Sequence, residues 1–275
     1  MANAATPQKK GSFSSIFSTL VIPLAVLTGI LIYMFVMGNP SNFEDNDPTK
    51  HPVPDGVGHV LGLIYKGGTI VPILLSLILM NITFSIERFI AIALAGGKQS
   101  SEAFVHKVKS LLHGGQIDQA IAACDLQKGS LANVIKSSLL RYKEVEKDTT
   151  MDKEQKVTAI KQEVEEATSL ELPGLEKNLS IIATMASVST LIALLGTVLG
   201  MIRAFSALAT AGSPDSVALA NGISEALINT ALGIANSAVA IIMYNVFTSK
   251  IDVITYTIDE AGFSIVQTFE ASHNK

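Results

Sequence analysis

Only one residue of the 275 is cysteine, Cys124, and only 16% of the chain is charged. A single thiol excludes an internal disulfide framework and any cysteine-based metal cluster. The formal net charge of −4 gives no electrostatic reason to expect nucleic acid. The stretch 95–178 contains no Gly-rich phosphate loop, no Ser/His/Asp set and no paired-carboxylate pocket. No enzymatic activity and no cofactor are therefore expected. His51 and His59 fall in a loop without Cys, His or carboxylate partners at ligand spacing, so no metal is expected either. His106 and His113 read as surface residues, and Cys124, beside Ala122 and Ala123, reads as a packed thiol.

What the chain has is apolar length. Its mean hydropathy of +0.42 is too high for an ordinary soluble domain. Four apolar runs, 13–37, 68–94, 179–208 and 218–247, each reach the roughly 20 residues that a helix needs to cross a bilayer core. The first is too long for the ~7–15-residue core of a signal peptide, and its Pro23 is tolerable in a membrane helix. The predicted fold class is all-α: a polytopic membrane protein with four transmembrane helices.

Between the spans the composition changes. Residues 1–12 are small, polar and basic, and are predicted to be disordered. Residues 38–67 form a link rich in Pro, Asp and Gly, predicted to be an exposed acidic loop. Residues 95–178 carry helical apolar patterns at Phe104, Val105, Val108, Leu111 and Leu112, at Ile117, Ala120 and Ile121, and at Leu131, Val134, Ile135, Leu139 and Leu140. From Gly96 to Asn178 there are 12 Lys/Arg and 13 Asp/Glu, which describes a mixed-charge helical layer rather than a nucleic-acid patch. Pro173-Gly174 predicts a kink or a helix start before the third span. Residues 209–217 are a short polar link and 248–275 a tail that is helical at first. Most Lys and Arg fall in 95–178, so the positive-inside rule puts both termini and this region in the cytoplasm.

The last two spans form a hairpin that concentrates the polar residues. Ser213-Pro214-Asp215 reads as the helix start of its second arm. Counted from Pro214, Glu225 lies about 16 Å along that arm and Thr230 about 24 Å, while Thr197 lies about 18 Å along the other arm. A carboxylate at such depth costs roughly 2.5–3.5 kcal/mol on insertion scales and marks a functional candidate. In the first arm Ala183, Ser187, Thr190, Leu194, Thr197, Met201 and Ala204 share one stripe. In the second, Glu225, Asn229, Leu232 and Asn236 share one face and Ala226, Thr230, Gly233, Ser237 and Ala240 another. Thr230 is about 140° from Glu225 around the helix, so one helix alone does not place both on one wall. Asn229 and Asn236, with Thr190 and Ser187, are either pore polar groups or helix-packing residues. Gly196, Gly200 and Gly233 are small positions for close helix approach. Glu87 and Arg88, at the end of the second span, read as an interfacial anchor. Arg203 reads as a snorkelling anchor or as a charge at a pore mouth.

Two segments carry a specific resemblance. Leu194-Leu195-Gly196-Thr197-Val198-Leu199-Gly200-Met201-Ile202 is one. Gly222-Ile223-Ser224-Glu225-Ala226-Leu227-Ile228-Asn229-Thr230-Ala231-Leu232-Gly233, followed by Tyr244-Asn245, is the other. In that order across a hairpin they resemble the MotA/TolQ/ExbB proton-channel family, nearest to ExbB, over about residues 68–248. Glu87-Arg88, Gly115-Gln116-Ile117-Asp118-Gln119-Ala120 and Ser130-Leu131-Ala132 also fit. The resemblance implies a ring, most often a pentamer, in the bacterial inner membrane, with long helices extending into a helical cytoplasmic region. It implies an ExbD-type partner whose single span bears an intramembrane Asp, and a TonB-type protein that receives the force of proton entry. Thr197, Glu225 and Thr230 match the family's polar pore positions. The chain departs from the pattern at Thr190, where the family often has Pro, and at Ala193, where it often has Gly. It departs again at Ser237-Ala238-Val239-Ala240, and in the extra span 13–37. A TolQ-like or motility output, and a non-conducting scaffold in which Glu225 only pairs helices, are the alternatives.

Overall fold

A computed structural model describes residues 11–210 and 216–272. Among them the structure is helical. In chain order the helices are α1 (Gly11–Leu31, continued by wider π-type turns to Met37), α2 (Gly56–Tyr65), α3 (Val71–Ala95), α4 (Ser101–His113), α5 (Ile117–Gln127), α6 (Gly129–Lys147), α7 (Lys153–Glu176), α8 (Leu179–Thr210) and α9 (Ser216–Ser272). Among the described residues, four helices are long and apolar enough to cross a membrane. The helix start at Ser213-Pro214-Asp215 and most of the basic N-terminus lie outside the described residues. The chain divides into two compact units, one of residues 1–85 and 181–243, the other of residues 86–180 and 244–275.

In the first unit Pro23 lies inside α1 without ending it. Residues 38–67 are more ordered than their composition predicts. A turn at Pro40–Asn42 is capped by Asn39, whose side chain accepts from Ser41 N at 3.0 Å. Phe43 is buried and forms an isolated antiparallel bridge with Pro52. Its ring meets Tyr65 edge-on at 5.5 Å, and Tyr65 stacks on Tyr33 of the α1 extension at 4.7 Å. Two glycines make this cap compact. A Cβ at Gly62 would lie 2.9 Å from the Asn42 carbonyl oxygen, and one at Gly58 would lie 3.1 Å from the Val53 side chain. His59 is therefore a helix residue rather than a loop residue, with its Nδ1 2.7 Å from the Val53 carbonyl oxygen. Turn-forming composition signalled a loop here, and aromatic packing across more than twenty residues of sequence made it a folded cap.

The second unit is a helical layer in which α4 packs on α5, α5 on α6 and α6 on α7. Amphipathic spacing sets its core: Phe104, Val108, Leu112, Leu131, Ile135, Leu139 and Ile160 are buried. Leu140 belongs to the same apolar pattern but faces outward, 49% exposed. Helix α7 starts with a capping box, Asp152 accepting from Gln155 N at 2.8 Å and Gln155 Oε1 accepting from Asp152 N at 3.1 Å. It then continues through Pro173 to Glu176 without ending there. The break falls instead at Asn178, in the left-handed region with φ +63°, which Asn tolerates better than most residues. The C-terminal part of α9 completes this core with Ile251, Ile254, Ile258, Ile265 and Phe269, while Phe263 is exposed.

Cys124 is buried in this layer, and burial, reinforced by Asp125, pushes its thiol pKa up to about 12. The thiolate is the nucleophile, so Cys124 should react with a maleimide at neutral pH roughly a thousandfold more slowly than a free thiol. Denaturation should restore ordinary labelling, and fast labelling of the folded protein would contradict this burial.

Candidate functional site

The packed face of α8 is built from Ile182, Met185, Ser189, Ala193, Gly196, Gly200 and Ala204. This is the stripe next to the one read from the sequence. Of that predicted stripe, Ala204 is buried, Thr190, Thr197 and Met201 are half-buried, and Ser187 and Leu194 are exposed. Small residues win the buried face because they let α8 and α9 come close. A Cβ at Gly196 would lie 2.8 Å from the Asn229 side chain, and one at Gly200 would lie 2.9 Å from the Gly222 carbonyl oxygen. One at Gly233 would run into Ala193 and the Ser189 carbonyl.

The two faces of α9 are both covered within this one chain. The Ala226 face meets α8. There the hydroxyls of Thr197 and Thr230 are 2.5 Å apart, so one donates to the other, and the hydroxyl that accepts is free to donate to a carbonyl one turn earlier, at 3.1 Å in either case: Ala193 for Thr197 or Ala226 for Thr230. Ser237 donates to the Ala186 carbonyl at 2.6 Å. The other face meets the Gly67-Gly68 turn ahead of α3 and the middle of α3. Asn229 donates to the Gly67 carbonyl at 2.9 Å. Asn81 Nδ2 donates to Asn236 Oδ1 at 2.9 Å, and Asn236 Nδ2 donates to Ser189 Oγ at 2.8 Å. Asn229 and Asn236 thus bond across helices. Thr190 and Ser187 bond to carbonyls of their own helix, at 3.4 and 3.3 Å.

Glu225 is buried, and its carboxylate forms an ion pair with Arg203 of α8. The Arg203 side chain is 49% exposed and its other terminal nitrogen lies 3.4 Å from Thr69 Oγ1. Arg203 is thereby the counter-ion of the buried acid rather than a lone anchor. A guanidinium one and a half turns beyond Thr197 reaches a carboxylate about as far before Thr230, because the helices are antiparallel. Glu225 and the Thr197–Thr230 pair accordingly occupy successive levels of the hairpin, about 7–9 Å apart by helix rise. Gly68 makes room for this pair. It has φ +78°, and a Cβ there would collide with the Glu225 carboxylate.

Beside the threonine pair α8 presents an uncovered apolar patch. Thr197, Val198, Met201, Ile202 and Phe205 line an open concavity of about 570 Å³, and Val198, Ile202 and Phe205 are each more than half exposed.

In the second unit Glu87 and Arg88 differ from the expected interfacial anchor. Arg88 is buried. Its Nε donates to Glu87 Oε2 at 2.6 Å and a terminal nitrogen pairs with the other carboxylate oxygen. The remaining nitrogen donates to the carbonyls of Gly174 and Leu175 at 3.3 and 3.2 Å, and Asn178 donates to Glu87 at 3.2 Å. The guanidinium therefore caps the C-terminal carbonyls of α7, where the helix dipole favours a cation. A cation at a span end satisfies the anchor pattern equally well, and nothing local distinguishes the two.

Sequence reasoning missed Asn81, which lies in an Asn-Ile-Thr triplet that reads as a chance glycosylation motif within a span. Its available signal was an amide in the middle of an apolar helix, which calls for a partner on a neighbouring helix. Replacing Asn236 with leucine removes the side-chain partner of both Asn81 and Ser189, leaving Asn81 only its 3.3 Å bond to the backbone carbonyl of residue 236. The expected cost is about 1–3 kcal/mol, read as a lower melting temperature in detergent, with Asn81→Leu/Asn236→Leu recovering part of it.

Residues 128–260 match the model of the MotA/TolQ/ExbB proton channel family. An ExbB-like biopolymer transport protein of Synechocystis sp. is 38% identical over 88 residues, 31% of this chain and 42% of that protein. The Tol-Pal system protein TolQ of Pseudomonas aeruginosa is 25% identical over 158 residues, 58% of this chain and 68% of that protein. TolQ of Haemophilus influenzae is 40% identical over 88 residues, 32% of this chain and 39% of that protein. The first and third matches thus span less than half the length of the relatives concerned.

Proposed function

We propose, from the match of residues 128–260 to the MotA/TolQ/ExbB proton channel family, that this chain is a proton-channel stator subunit of the ExbB type. It assembles as a homo-oligomeric ring, with five copies the expected number, in the bacterial inner membrane. Its termini and residues 95–178 face the cytoplasm, and the α8–α9 connection faces the outside. A single-span partner of the ExbD type, bearing one intramembrane Asp, stands in the ring. Proton entry moves that helix, and a TonB-type protein carries the work to outer-membrane uptake.

The observation that carries this reading is the Thr197–Thr230 hydroxyl pair beside the uncovered apolar patch of α8. Hydroxyls both donate and accept, so the pair can support a water chain or a partner's carboxylate at mid-membrane depth. An apolar patch bordering a polar pair suits a transmembrane helix with one acidic residue. The reading uses no bound cofactor.

The TolQ relatives favour a second output, envelope maintenance, from the same channel. The two outputs differ only in the protein that receives the force.

Reconstitution tests the channel itself. Vesicles holding this chain together with a single-span partner should show proton influx on an imposed gradient, and vesicles holding the chain alone should not. No flux with the partner bound, combined with loss of assembly on mutation of Glu225, would instead describe a scaffold.

A further inference from the structure

The buried acid opens in one direction. Glu225 lines a cleft of about 580 Å³ formed by residues 44–66 of the cap and by the facing ends of α8 and α9. Away from the cleft it is closed by the Gly67-Gly68 turn. Asn229 donates to the Gly67 carbonyl, Ile228 packs against Gly67, and Gly68 leaves no room for even a methyl group beside the carboxylate. Access to Glu225 within this chain therefore runs through the cleft.

The charges on its walls are mixed in sign. The cap contributes Glu44, Lys50, His51 and Lys66, and α8 contributes Arg203. Lys66 is fixed by the Pro48 and Thr49 carbonyls at 2.9 and 3.0 Å, and Lys50 pairs with Asp45 outside the wall at 2.5 Å. A metal cation entering here meets cations whose places are already taken: Lys50 is paired with Asp45, Lys66 is held by two carbonyls near Asp47, and Arg203 is paired with Glu225. At the end it finds a carboxylate already held by a guanidinium, and among the described residues no group of three His, Cys, Asp or Glu side chains is placed to hold a metal ion. A proton needs no such group and travels along water.

We propose that this cleft, built in part by the cap that follows the extra N-terminal span, is the mouth through which protons reach Glu225, and that Arg203 is the residue that keeps Na⁺ out. The inference rests on the reading above, which places the hairpin end outside. Arg203 acts here as a specificity-determining residue through its pairing with Glu225.

The test uses the full chain with its single-span partner in a Cys124→Ser background, with Ala207→Cys on the cleft wall and Val217→Cys as a second position. A membrane-impermeant, positively charged thiol reagent is applied to either face. Labelling from the outer face should reduce proton flux at least tenfold, and application to the cytoplasmic face should leave it unchanged. Complete outer labelling at both positions with undiminished flux, or labelling only from the cytoplasm, would overturn the mouth. Absence of flux before any labelling would instead count against the stator reading itself. For selectivity, radioactive sodium uptake should be nil in the unsubstituted complex, appear in Arg203→Gln, and stay nil in Arg203→Lys, which keeps the charge. Sodium uptake by the unsubstituted complex, or none in Arg203→Gln with proton flux intact, would overturn the role of Arg203.

Discussion

Glu225→Ala is expected to abolish proton-driven output while the oligomer still assembles. The carboxylate is buried between α8, α9 and the Gly67-Gly68 turn, where an acid has no reason to persist for packing alone. Alanine removes the proton-exchanging group and also leaves Arg203 without its counter-ion, so stability must be read separately from function. Glu225→Gln serves that purpose. It still accepts a hydrogen bond from Arg203 but cannot take up and release a proton. A proton role predicts that both variants lose output, to background in a gradient-driven uptake assay, with native mass spectrometry showing the same oligomer. If the acid only pairs helices, Gln retains output and Ala loses assembly. Thr197→Ala should lose output in the same way, because it removes half of the hydroxyl pair with Thr230. Thr197→Ser, which keeps the hydroxyl, should retain most of it.

The largest stability effect is expected at Arg88. Arg88→Ala should destabilise the second unit by about 3–5 kcal/mol, the usual cost of removing one member of a buried ion pair. Three groups lose the guanidinium together: the Glu87 carboxylate, which keeps only Asn178, and the Gly174 and Leu175 carbonyls at the end of α7. Arg88→Lys keeps the charge but loses the forked geometry, and should recover only part of the loss. The double substitution Glu87→Gln/Arg88→Met removes both charges and should be milder than Arg88→Ala. Thermal unfolding in detergent, followed by circular dichroism, orders the three variants. If Arg88→Ala melted within a degree of the unsubstituted protein, the side chain would be an anchor at the membrane surface after all.

The helical class, the four spans and the amphipathic layer of residues 95–178 were legible in the sequence. Hydropathy and a 3.6-residue period are local properties, and each helix expresses them wherever it finally packs. The same locality explains the errors. Pro173 suggested a break, but its ring sits near the end of α7 and the chain turns at Asn178, where a left-handed residue is tolerated. The packed stripe of α8 lies next to the polar stripe that holds Thr190 and Thr197, and periodicity alone does not say which of the two meets α9. Neighbouring stripes differ by one residue, about 100° of turn, and a helix with large apolar residues facing outward and small ones facing inward has no polar contrast to fix its rotation. The cap at residues 38–67 looked like a loop because Gly, Pro and Asp usually mark one, whereas here Gly58 and Gly62 form the inner face of α2.

The sequence by itself determined which segments are helices, which of them can cross a bilayer, and that a carboxylate and two threonines lie deep in one hairpin. Only the tertiary structure decided their partners: Arg203 for Glu225, Thr230 for Thr197, Asn81 for Asn236, and the end of α7 for Arg88. Those partners are 22 to 155 residues apart in the chain. Periodicity describes how a helix faces its surroundings, and only the close packing of small residues decides which side chain stands opposite.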